Sequence, residues 1–101
     1  MKVLLLLCTL FSMNAFAKEY EMKMKSMSYD PKTLTIAVGD SVKWTNGTYT
    51  KHTATGKDWD TGMVKPQTES KPIVFNKPGK YDFHCLVHGS AMKGTITVGA
   101  K

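Results

Sequence analysis

Three side chains with metal-binding chemistry stand close together near the end of the chain. They are the Cys85 thiol, the His88 imidazole and the Met92 thioether, all within YDFHCLVHGSAMKGTITV. A thiolate, an imidazole and a thioether are soft to borderline donors, a set that suits copper better than any hard cation. One more imidazole would complete a trigonal plane of two histidines and a cysteine, with methionine as a weak axial ligand. His52, far upstream, is available for that place. The expected ligand set for one copper ion is therefore His52, Cys85, His88 and Met92. Cys85 would bind as thiolate and the imidazoles as neutral rings, so protons compete with the metal.

Each residue also has a plainer reading. Cys85 could be a small buried hydrophobe, His52 a loop histidine, His88 a turn residue beside Gly89, and Met92 a core filler. Zinc is the rival metal, with Asp60 as a fourth ligand to His52, Cys85 and His88. Structural zinc favours several thiolates in paired spacing, and this chain has no such pairs. His84 precedes Cys85 on an alternating segment and is expected on the opposite face, away from the thiol.

The elements that must position these residues read as strands. Tyr81, Phe83 and Cys85 alternate, and alternation resumes over Thr95 to Val98 after Gly94. A short loop carrying the donors is expected between them. Upstream, Tyr20, Met22 and Met24 share one face against Glu19, Glu21, Lys23 and Lys25, the pattern of a half-buried strand. The same stretch through Met27 also reads as a methionine-rich copper(I) sequence, although the alternation favours core packing for Met22 and Met24. Ser28 to Pro31, Gly39-Asp40, Asn46-Gly47 and Asn76 to Gly79 read as turns, with Leu34, Ile36 and Val38, then Val42 and Trp44, alternating between them. From Gly47 to Met63 the chain is polar and aperiodic. Strand and turn at short spacing point to an all-β sandwich or barrel.

Residues 1–17 have the basic start, short apolar core and small-residue cleavage site of a secretory signal, and the apolar run is too short to cross a bilayer. Cleavage after Ala17 leaves one domain, 18–101, without a membrane span and with Cys85 as its single cysteine. Cys8 lies inside the apolar core, where a lipid-attachment cysteine does not belong. The whole chain carries a net charge of +6, all of its cations being lysine. Lysine without arginine argues against bidentate phosphate reading, and export argues against nucleic acid as a partner. The basic surface is either solubilising or steers an acidic partner.

The residues also carry a family likeness. YDPKTLTIAVGDSVKWTN, DTGMVKP, FNKPGKYDFHC and MKGTITV together resemble the cupredoxins, especially the plastocyanin, pseudoazurin and amicyanin group, over nearly all of residues 18–101. The resemblance implies a Greek-key β-sandwich, copper ligands at His52, Cys85, His88 and Met92, and transfer of single electrons between redox partners in the periplasm. It further implies that the His88 edge reaches a small apolar patch, with Gly89, Ser90, Ala91, Met63, Val64 and Pro66 as candidates; from the basic charge, lysines around that patch are expected to steer a redox partner with an acidic docking surface. The expected state is a monomer, and the expected role a carrier, not an enzyme. The other function considered is periplasmic copper transfer or tolerance. Two departures stand out: Gly89, Ser90 and Ala91 separate His88 from Met92 where amicyanin-like loops have two residues and plastocyanin-like loops four, and Thr53 stands where many relatives have an asparagine that ties the ligand loops together.

Overall fold

A computed structural model describes residues 17–100. The leader expected over 1–17 therefore lies outside the described residues, apart from Ala17. The described chain forms nine strands: β1 (Glu19–Met24), β2 (Tyr29–Asp30), β3 (Thr33–Ala37), β4 (Ser41–Asn46), β5 (Thr55–Gly56), β6 (Thr68–Glu69), β7 (Ile73–Val74), β8 (Gly79–Cys85) and β9 (Gly89–Gly99). They make two sheets, one ordered β2-β1-β4-β6 with β7 also on β4, the other β3-β9-β8-β5. β1 runs parallel to β4, and β3 parallel to β9.

The alternating sequence explains which faces meet. Met22 and Met24 from β1 and Val42 and Trp44 from β4 turn inward, as do Phe83 and Cys85 from β8 and Ile96 and Val98 from β9. Trp44 meets Phe83 across the interior edge to face at 5.6 Å, so the two sheets share one core. The opposite faces carry charge: Lys43 bridges Glu19 and Glu69 at 3.5 and 3.2 Å. Such exposed pairs contribute little to stability.

Two local readings are corrected. Tyr29 and Asp30, expected in a turn, form β2 against β1. Tyr29 is buried because its ring packs on Phe83 at 4.7 Å, and that packing outweighs the turn-forming neighbours. The donor loop is also shorter than expected. β9 begins at Gly89, leaving only residues 86–88 between the strands. Pairing runs regularly to His84↔Lys93 and then jumps to Cys85↔Gly89. Residues 90–92 are thus extra on β9 at that step, the form of an enlarged β-bulge.

One glycine is essential to this packing. A Cβ on Gly94 would lie 2.6 Å from the Phe83 ring and 2.8 Å from the Lys32 carbonyl, so only a residue without a side chain lets Phe83 sit against β9.

Candidate metal centre

Cys85 is the last residue of β8, and its sulfur is fully buried because the strand alternation points it inward. His84 beside it is exposed on the outer face, as the alternation required. The chain then turns through Leu86 and Val87 to His88, which is half-buried, and Gly89 follows at φ 62°, a left-handed conformation suited to glycine. His52 comes from the irregular segment between β4 and β5. Its backbone is pinned to Val64 by reciprocal hydrogen bonds, Val64 N–H to the His52 carbonyl at 2.8 Å and His52 N–H to the Val64 carbonyl at 3.3 Å.

These elements bring three predicted donors together. The Cys85 sulfur lies 3.8 Å from His52 Nδ1 and 3.7 Å from His88 Nδ1. One donor atom from each residue falls within 4.8 Å of the others, the one such group among the described residues. Two donors about 2.0–2.3 Å from a common ion at a trigonal angle stand roughly 3.7 Å apart, so the spacing and chemistry of this trio fit a single metal ion. Met92 is fully buried within residues 90–92, the extra segment of β9. Asp60, the fourth ligand of the zinc alternative, is not in the cluster; its carboxylate accepts from Thr55 Oγ1 at 3.0 Å and from the Gly62 amide at 2.8 Å.

Hydrogen bonds hold the donors in place. His52 Nε2 lies 3.1 Å from both the Thr48 and Thr50 hydroxyls. With Nδ1 turned to the sulfur, Nε2 carries the proton and donates to these oxygens, fixing ring orientation and tautomer. Asn46, fully buried at the end of β4, shapes the segment that carries those threonines. It donates to the Thr50 and Val64 carbonyls at 2.8 Å each and accepts from the Thr48 amide at 2.9 Å. Thr53 ties the two ligand segments together: its amide donates to the Cys85 sulfur at 3.4 Å, and its hydroxyl accepts from the Leu86 amide at 2.9 Å. Tyr29 donates its hydroxyl proton to the Thr53 carbonyl.

Burial pushes the His52 pKa below its ordinary value, and positive charge on His88 pushes it the same way. The Tyr29 hydroxyl is held well above its ordinary value, first by burial and then by negative charge on Cys85. Both directions suit a site with a neutral imidazole and an intact phenol.

The surface around His88 differs from the expected patch. Val64 is buried and does not contribute. Of the exposed large apolar residues, Met27 and Tyr49 share a groove with His88, and Tyr49 is 89% exposed. Tyr49, Pro66 and Val87 share one hollow with Lys51 and Lys65. Asn46, Thr48, Thr50, Tyr49 and Tyr29 were not singled out by sequence reasoning for these roles. The run of hydroxyl residues around His52 (TNGTYTKHT) was the one available signal.

A cupredoxin-like domain family model matches residues 1–98. The chain belongs to the cupredoxins. Among curated relatives of this cupredoxin, a plastocyanin from Nostoc punctiforme is 30% identical, the match covering 87% of this chain and 79% of that protein. An amicyanin from Paracoccus versutus is also 30% identical, over 74% of this chain and 61% of its own. Among solved structures, a reduced amicyanin variant superposes with a TM-score of 0.72 at 25% identity, covering 80% of this chain and 82% of its own. A copper-containing nitrite reductase from Thermus scotoductus gives a TM-score of 0.72 at 28% identity, but the match covers only 22% of the reductase chain. The two-sheet architecture read from the alternating strands is thus the cupredoxin fold.

Proposed function

We propose that this cupredoxin is a type 1 copper protein that carries single electrons between redox partners outside the cytoplasm, with His52, Cys85, His88 and Met92 as the copper ligands. The observation that carries this reading is the convergence of His52, Cys85 and His88 within 4.8 Å. The plastocyanin and amicyanin relatives support it. When bound, copper supplies one-electron chemistry by alternating between its two oxidation states.

The protein's own part is to hold the donors still. The threonine hydroxyls fix the His52 ring, and Thr53 joins the His52 and Cys85 segments. Donors held from separate, hydrogen-bonded segments would move little between the two oxidation states of a bound copper, which would keep reorganisation small. His88 is the one half-exposed residue of the four, and its ring gives the electron its way out. A partner docks over Tyr49, Pro66 and Val87, with Lys51 and Lys65 beside them steering an acidic surface. Redox encounters of this kind bury less than about 1,200 Å² and separate quickly.

On this reading the leader motif directs export to the periplasm and is removed after Ala17, and the remaining domain, 18–101, works as a monomer. We read it as a carrier, not an enzyme: the chain has three histidines, and with His52 and His88 at the copper, only His84 remains for a further metal centre.

The test is addition of copper(II) to the purified protein. An intense blue thiolate-to-copper band is expected, and Cys85→Ser should abolish it. Colourless binding, or a blue band that survives the substitution, would overturn the assignment. Copper transfer or tolerance is the second reading. Met22 and Met24 are packed into the core, which leaves Met27 as its exposed methionine.

A further inference from the structure

Met27 stands out from the other N-terminal methionines. It sits in a tight turn closed by the Lys25 amide on the Ser28 carbonyl at 2.7 Å, and it is 49% exposed. That turn forms one side of a groove of about 850 Å³, whose other walls include Tyr49, Thr48, Thr50 and His88. Met24, nearly fully buried, also lines it. The groove therefore has an exposed thioether and the imidazole of a metal ligand on one continuous surface.

The burial of the centre makes this arrangement informative. His52, Cys85 and Met92 are all fully buried, so His88 is the donor nearest to solvent. An ion coming from outside meets the His88 side first. Thioether sulfur is a soft donor that favours copper(I) over harder ions. Lys23 and Lys25 line the same groove. Their charge disfavours a bare cation and favours copper(I) carried in an anionic complex.

We infer that Met27 is a capture site for copper(I), which it takes from an anionic donor in the groove and passes to His88 and the buried donors. The proposal rests on the copper reading of the centre. The metal remains copper(I) throughout; the donor's ligands leave, and the Cys85 thiol releases its proton to solvent as the thiolate binds. Met27 acts during loading and is not a ligand of the finished site.

The test follows transfer of copper(I) from its anionic bicinchoninate complex to the apoprotein by stopped flow, reading the loss of the complex's colour. Met27→Leu keeps the bulk and removes the donor; it should slow transfer about tenfold, a loss typical of removing an auxiliary contact to a metal. The final copper-to-protein ratio should remain that of the wild type. Met27→His should restore fast transfer, and Lys23→Gln with Lys25→Gln should slow it and flatten its salt dependence. Wild-type rates in Met27→Leu would overturn the capture role while leaving the copper centre intact. Failure of the wild-type protein to take up any copper(I) would overturn the centre and the capture site together.

Discussion

The Thr53 hydroxyl accepts a hydrogen bond from the Leu86 amide at 2.9 Å, joining residues 33 positions apart in the chain. The same threonine's amide reaches the Cys85 sulfur. One residue thus clamps the His52 segment to the Cys85 turn through both its amide and its hydroxyl. Thr53→Val should leave the Leu86 amide without its partner, costing about 1 kcal/mol of stability. Copper affinity should fall by about 10- to 100-fold. Denaturant unfolding of the apoprotein and chelator competition measure the two effects separately.

Gly94→Ala places a methyl group against the Phe83 ring and the Lys32 carbonyl. The backbone carbonyl cannot swing aside as a side chain can. Overpacking of this kind costs about 1–3 kcal/mol. The urea midpoint should drop at unchanged slope, because the surface exposed on unfolding is the same.

The lowered pKa of His52 adds its own part to the acid response of the apoprotein. Its unfolded value is near the ordinary 6.5 and its folded value lies below that. The unfolded state therefore takes up the proton first as pH falls. The contribution to stability is complete above about pH 6.5 and is lost from there down to the folded pKa, with a slope of at most about 1.4 kcal/mol per pH unit. Unfolding curves across pH 5 to 8, compared with those of His52→Gln, should show this part of the slope vanish in the variant.

Met92 is expected to tune the potential more than to hold the ion. Replacing it with glutamine supplies a harder oxygen donor, which favours copper(II) over copper(I). Voltammetry of Met92→Gln should show a lowered reduction potential with the thiolate band still present. An unchanged potential would remove Met92 from the ligand set.

Lys51 and Lys65 flank the hollow formed by Tyr49, Pro66 and Val87. Electron exchange with an acidic redox protein should slow as salt rises, and the salt dependence should weaken in Lys51→Gln with Lys65→Gln. A flat response in the wild type would exclude electrostatic steering.

Much of the fold was legible because strands impose a period of two on side-chain direction. Tyr81, Phe83 and Cys85 turn inward and His84 outward, and Met22 and Met24 pack into the core, all as their alternation requires. Features that depend on contacts between distant segments were not legible. Tyr29 has turn-forming neighbours, and only Phe83, remote in sequence, explains its burial. Asn46 reads as a turn residue, yet its side chain is committed to the Thr50 and Val64 carbonyls. Val64 looks like a patch residue until its backbone pairing with His52 draws it inside. The donor trio was suggested by residue type; its convergence required the second sheet to carry Cys85 to the segment that follows β4.

The jump in pairing from Lys93 to Gly89 leaves residues 90–92 outside the regular ladder, while Lys93 to Val98 remain locked to β8. Insertions or deletions in that interval need not slide the remaining β8–β9 pairs past one another, which would otherwise turn core side chains out to water. The approach to Met92 can therefore be lengthened or trimmed while the β8–β9 register of the sandwich stays fixed. A single hairpin thus separates the part that holds its two strands in register from the part that carries Met92.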